Sequence, residues 1–261
     1  VLTFRTTPHQ QGLQSRAPKA TWRQLELSAH GAEDVGFSKI PDVFSGCGCV
    51  LLTFPITGEG DPSLAFSYSM TRHLKDLVAS GTKLCILSST GAYLQRSGVV
   101  SESSQWNLDD PRFGAEETLR QELGATVIVL SGLFGGDRNP LDWLASGRIR
   151  NLGGSVNLIH HQDAGICVAA IMRRPIEGQR INVVSGELHW WAQLALDHQV
   201  FPPGLHAASV SEMLAEVRRS LAIDPLRERV ISNALLLEQY PELRQLNFRR
   251  VGDVEIEPAR G

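Results

Sequence analysis

Lys83-Leu-Cys-Ile-Leu-Ser-Ser-Thr-Gly-Ala-Tyr93 decides the fold. Lys83 to Leu87 is a short apolar run following Gly81, a helix-ending residue, and its pattern predicts a strand buried on both faces. Ser88, Ser89 and Thr90 place three hydroxyls where that strand ends, and Gly91 lets the chain turn away. In an open α/β sheet, ligands sit at the carboxyl ends of the strands. The row is therefore read either as hydrogen-bond donors at the mouth of a site or as turn-capping residues.

Two more segments match the apolar run. Cys49 to Phe54 precedes it, ended by Pro55, and Ala125 to Leu130 follows it. Between them the spacing predicts helices. One starts at Asp61-Pro62 and stops near Gly81; another runs from Phe113 to Leu123, with Gly124 just past its end. Val1 to Phe4 and, more weakly, Trp22 to Leu27 read as strands, and Gly31 to Gly48 as a surface connection. Beyond Leu130 the pattern predicts helix at Leu141–Ala145, strand at Val156–His160 and helix at Asp163–Met172. Strand at Arg180–Val184 and helices at Leu188–Leu196 and Ser211–Leu221 follow. Gly98 to Asp110 reads as a long polar loop, and Arg229 to Arg249 as helix then irregular chain. Strands alternating with helices give an α/β fold with a mostly parallel sheet.

Composition narrows the function classes. A hydrophobic share of 42% and a charged share of 20% over 261 residues describe one ordinary globular domain or two small ones. A net charge of −3 offers no field for nucleic acid, and no apolar run has the length of a membrane span. Cys47, Cys49, Cys85 and Cys167 are too scattered for a disulfide framework, and no second cysteine pair or nearby histidine completes a metal site around Cys47-Gly48-Cys49. The expectation is an intracellular soluble protein, cytoplasmic or organellar, with no metal and no membrane or nucleic-acid partner.

Four motifs in order carry a resemblance: Ile86 to Tyr93, Leu130 to Pro140, Ile159-His-His-Gln-Asp163, and Ile181-Asn-Val-Val-Ser-Gly-Glu187. Together they resemble the NAD(P)-dependent epimerase/dehydratase group, the extended and atypical branch of the short-chain dehydrogenase/reductase superfamily. Val230 to Leu235 is similar to that branch's C-terminal segment. The resemblance implies a Rossmann-like doubly wound parallel sheet. It implies a single NAD(P)-binding domain over 1–261, with 140–261 forming much of a smaller substrate region. NADP or NAD is the implied cofactor, and a small or sugar-nucleotide molecule the implied substrate. Ser89 and Thr90 take the catalytic role, holding an oxygen on which charge develops. Arg5, Thr53, Pro55, Ser88, Leu133, Phe134 and Gly135 are placed at the cofactor, and Tyr93, Arg138 and His160 at the substrate. His160 and Asp163 match a motif that anchors the substrate region; a buried histidine and a helix-start carboxylate explain them equally well.

Two departures qualify this. The family carries Tyr-x-x-x-Lys at the start of the helix after the long loop, where the lysine lowers the tyrosine pKa for proton exchange. Here that place reads Asp110-Pro-Arg-Phe-Gly-Ala-Glu-Glu117, with no tyrosine and Glu116 about where lysine belongs. Nor does the sequence contain a glycine turn that would bring backbone to a pyrophosphate at a helix start. Phe4-Arg5-Thr6 instead resembles the end of the family's second strand, where a basic residue meets the NADP 2′-phosphate. The expectation is a chain that begins after the first strand and helix, as a fragment or a truncated natural form. The central gap is then left open, closed by its neighbours, or filled by a homodimer mate or partner chain. Leu51 and Ile86 are expected side by side in one parallel layer. Two functions remain open: an NAD(P)-dependent oxidoreductase or epimerase, and a catalytically inactive Rossmann-like scaffold or assembly subunit.

Overall fold

A computed structural model of the chain describes residues 2–4, 22–24, 28–30, 33–35, 40–53 and 65–253. In chain order the elements are β1 (Leu2–Phe4), β2 (Trp22–Gln24), β3 (Ser28–His30), β4 (Glu33–Val35), α1 (Ile40–Val43) and β5 (Cys49–Leu52). Next come α2 (Ala65–Ala79), β6 (Lys83–Ser89), β7 (Gly98–Val100), α3 (Pro111–Leu123), β8 (Thr126–Leu130) and β9 (Gly132–Phe134). The remainder is α4 (Pro140–Ala145), β10 (Ser155–His160), α5 (His161–Arg173), β11 (Arg180–Val183), β12 (Leu188–Trp190), α6 (Trp191–Asp197), α7 (Ala207–Ile223), β13 (Arg229–Ile231) and α8 (Ala234–Gln239). The fold is α/β. Its main sheet has the strand order β11-β8-β6-β5, and β5 and β6 run parallel.

Contacts cluster the chain into two compact units. The first comprises 1–87, 107–127 and 172–179. In it Leu52 stands opposite Ile86 and Leu51 opposite Cys85, so Ile86 faces the residue after the one expected. Period-2 alternation sets this pairing: Val50, Leu52, Leu84 and Ile86 all point into one core, closed by Met70, Leu74 and Leu77 of α2 and by Leu119 and Leu123 of α3. Helix α3 has both ends specified locally. The Asp110 carboxylate accepts from the Arg112 N–H at 2.9 Å, Pro111 occupies the first turn, and Gly124 ends the helix at φ 65°. The expected helix start at Asp61-Pro62 lies outside the described residues. β1 and β2 form a parallel pair of their own, and β3 pairs with β4 within the stretch read as a surface connection.

The second unit comprises 88–106, 128–171 and 180–261. Its strands β12, β10 and β9 form a three-stranded sheet, and β13 pairs parallel with β7. Phe134, Leu144, Leu158, Trp191, Leu194, Val210 and Leu214 are among the residues of its core. Three expectations change here. The segment read as helix from Leu188 opens as a strand, because Leu188 to Trp190 pair antiparallel with β10 before the helix starts at Trp191. Gly98–Val100, read as loop, and Arg229–Ile231, read as the start of a helical tail, are strands that pair with each other, and the Asn157 side chain of β10 bonds the Arg229 carbonyl and the Ile231 N–H. Each is three residues long, too short to leave a periodic signal in the sequence. Trp190 is half-buried and Trp191 buried.

Candidate functional site

The hydroxyl row is seated in the second unit. Ser88 is buried, and among the described residues its hydroxyl has no hydrogen-bond partner. Ser89 and Thr90 are half-buried, and Thr90 opens a 3-10 turn over Thr90–Ala92. Ser131, directly after β8, is a second buried hydroxyl without a partner among the described residues; its N–H donates to the Val183 carbonyl at 3.3 Å. β6 and β8 are neighbours in the main sheet, so the two orphaned hydroxyls stand at the carboxyl ends of adjacent strands. A buried hydroxyl left unbonded costs free energy that a ligand atom or water recovers.

Below the row lies a polar cluster built on Asn182, which is wholly buried. Asn182 accepts from the Tyr93 hydroxyl at 2.7 Å, donates its backbone N–H to Glu102 Oε1 at 3.0 Å, and donates its Nδ2 to the Ser232 carbonyl at 3.1 Å. One residue, through its side-chain amide and its backbone N–H, thus ties the turn after the hydroxyl row, the loop after β7 and the end of β13. The Trp106 ring meets Tyr93 edge-on at 5.1 Å, and the Arg180 guanidinium stacks over Trp106 at 4.4 Å. Burial, and then the nearby Glu102 charge, push the Tyr93 phenol well above its ordinary range. Burial likewise raises the Glu102 carboxyl. Tyr93, expected at the substrate, is wholly enclosed, with its hydroxyl committed to Asn182.

The loop after β8 continues from Ser131. Leu133 is half-buried and Phe134 buried. Gly135 has φ +103°, and a Cβ there would stand 2.3 Å from His160 Nε2 and 2.4 Å from His161 Nδ1, so only glycine fits. Gly135 and Arg138 exchange two backbone hydrogen bonds, which leaves the Arg138 side chain exposed. His160 is buried against the Phe134 ring edge, and its Nδ1 accepts from the Gln162 N–H at 3.3 Å. Burial first, then the neighbouring His161, lower its pKa. It packs under the Gly135 backbone. His161 is exposed on the surface, with Nδ1–H donating to the Phe134 carbonyl. Asp163 is wholly buried in the first turn of α5; it accepts from the Arg249 N–H at 2.7 Å and forms an ion pair with the Arg249 guanidinium.

Of the remaining expected residues, Thr53 is exposed at the end of β5 in the first unit, and Arg5 and Pro55 lie outside the described residues. Glu116, where the family's lysine belongs, is buried in α3, and Arg112 Nε donates to it at 2.9 Å. Sequence reading missed Glu102, Arg229 and Arg249. Asn182 stood inside a quoted motif, and only its three partners show its part. Among the described residues no cluster of His, Cys, Asp or Glu has the makings of a metal site, and no helix is long and apolar enough to cross a membrane.

No protein-family model matches the chain, and no curated protein matches it in sequence. Solved structures do match. A nucleoside-diphosphate-sugar epimerase from Pseudomonas aeruginosa superposes with a TM-score of 0.62 at 15% identity, over 92% of this chain and 82% of that one. A functionally unknown conserved protein from Silicibacter pomeroyi gives 0.62 at 19%, over 92% and 82%. The dTDP-glucose 4,6-dehydratase of Bacillus anthracis, solved in complex with NAD, gives 0.57 at 10%, over 93% and 80%. The fold is therefore the Rossmann-like one of the epimerase/dehydratase and short-chain dehydrogenase/reductase structures. At these identities the likeness defines the fold and leaves the activity to be argued from the site.

Proposed function

We propose that the protein is an NAD(P)-dependent oxidoreductase or epimerase-like protein acting on a small or sugar-nucleotide substrate. The observation that carries this is the pair of buried, unpartnered hydroxyls, Ser88 and Ser131, at the carboxyl ends of adjacent strands. That is where a Rossmann-type sheet receives its ligand. Ser88, Leu133, Phe134 and Gly135 fit the nicotinamide end, which supplies a hydride donor or acceptor when bound. Ser89 and Thr90 hold the substrate oxygen on which negative charge grows, and fixed donors of this kind act without reorganising. Arg138 and His160 are assigned to the substrate, Arg138 as an exposed cation and His160 through the Gly135 backbone that it supports. Tyr93 keeps the row in register and exchanges no proton, since its phenol is enclosed and raised.

Calorimetric titration with NADPH and NADH tests the reading: binding of one at micromolar strength is expected, and binding of neither removes it. Turnover on a panel of sugar nucleotides should fall by roughly 100-fold or more in the Ser89→Ala, Thr90→Ala double variant. A second reading, a catalytically silent protein on the same fold, is favoured by the Arg112–Glu116 ion pair, which occupies the positions of the proton-exchanging machinery. Cofactor binding without turnover on any of the panel would select it.

A further inference from the structure

Arg229 lies in β13, opposite Gly98 of β7, and this register brings Arg96, two residues before Gly98, to the same end of the pair. The Arg229 guanidinium donates to the Thr90 carbonyl, so its charge sits against the hydroxyl row. Its Nε is buried and has no hydrogen-bond partner among the described residues. Arg96 is exposed, and among the described residues neither arginine has a carboxylate partner. The nearest acid in sequence, Glu228, is turned away and accepts from the Ser155 hydroxyl. Burial lowers the Arg229 pKa, and the like charge of Arg96 lowers it further.

A half-buried guanidinium beside a second cation, with no counter-charge, is an unfavourable arrangement that a bound anion reverses. Two guanidiniums also match the geometry of an oxyanion. We propose that Arg229 and Arg96 form an anion-holding arm beside Ser89 and Thr90, so that the substrate carries an oxyanion, as the diphosphate of a sugar nucleotide or the carboxylate of a small acid. This rests on the reading of Ser89 and Thr90 as the substrate-holding hydroxyls.

The test is calorimetric titration of the full chain with inorganic pyrophosphate and, separately, with malonate. The native protein should bind at least one of them. Arg96→Ala and Arg229→Gln should each weaken that binding by about tenfold or more, and Arg229→Lys should recover part of it. Preference for pyrophosphate identifies a diphosphate substrate, and preference for malonate a small acid. The arm is overturned when neither anion binds the native protein, or when binding is equal in the native protein and both weakened variants. Arg96 is exposed, so its variant carries the test even where Arg229→Gln fails to fold. NADPH titrated alongside separates the two readings. NADPH binding without arginine-dependent anion binding removes the arm alone. Arginine-dependent anion binding without NADPH binding removes the cofactor alone.

Discussion

The Tyr93 hydroxyl donates to Oδ1 of Asn182 across 2.7 Å, and neither side chain exposes any surface. Tyr93→Phe leaves that oxygen buried and short of a donor, which should cost roughly 1–3 kcal/mol in urea unfolding. Because the folded-state pKa is raised, the tyrosine's contribution is complete below the unfolded value of about 10 and is lost as pH rises beyond it. Native stability should therefore fall on alkaline titration with a steeper slope than that of the phenylalanine variant. Equal slopes would mean that the phenol is not enclosed.

Gly135 should tolerate no side chain. A Cβ at φ +103° is strained and meets the His160 and His161 rings at less than van der Waals distance. Gly135→Ala should destabilise by roughly 2–5 kcal/mol, read as a drop in the urea midpoint. His160→Ala, added to it, should recover part of the loss by making room. Non-recovery would place the strain in the backbone alone.

Asp163→Ala should loosen the C-terminal segment before the rest of the protein. The carboxylate holds both the backbone N–H and the guanidinium of Arg249. Arg249 is partly exposed, so water compensates it in part, and the loss should be about 1–3 kcal/mol. Hydrogen exchange should show earlier opening around Arg249 while the amides of β5 and β6 keep their protection.

Cys49 should be the thiol of its pair that reacts. Its sulfur lies 3.6 Å from that of Cys85; the hydrogen bond between them lowers the Cys49 pKa and, with burial, drives that of Cys85 up. Iodoacetamide should label Cys49 ahead of Cys85, as peptide mass spectrometry of the native protein would read. Cys49 is opposite Lys83 and Cys85 is opposite Leu51, so the two are diagonal neighbours, too far apart along the strands for an unstrained disulfide. Mild oxidation should not join them; a Cys49–Cys85 crosslink at native stability would contradict the register.

The sequence by itself determined the elements whose signals are local. Buried strands at Cys49–Leu52, Lys83–Ser89 and Thr126–Leu130 show as apolar runs, and α3 shows in Asp110-Pro111 at one end and Gly124 at the other. These follow from side-chain periodicity and capping chemistry, which act within a few residues. Tertiary structure alone decided the rest. β7 and β13 are strands because residues far apart in the chain supply each other's hydrogen bonds. The Tyr93 hydroxyl is bonded because Asn182 arrives from β11, and the charge beside Thr90 comes from Arg229 in a segment whose sequence reads as a helical tail. Each of these depends on a partner more than 80 residues away in sequence, a distance over which no local pattern carries information.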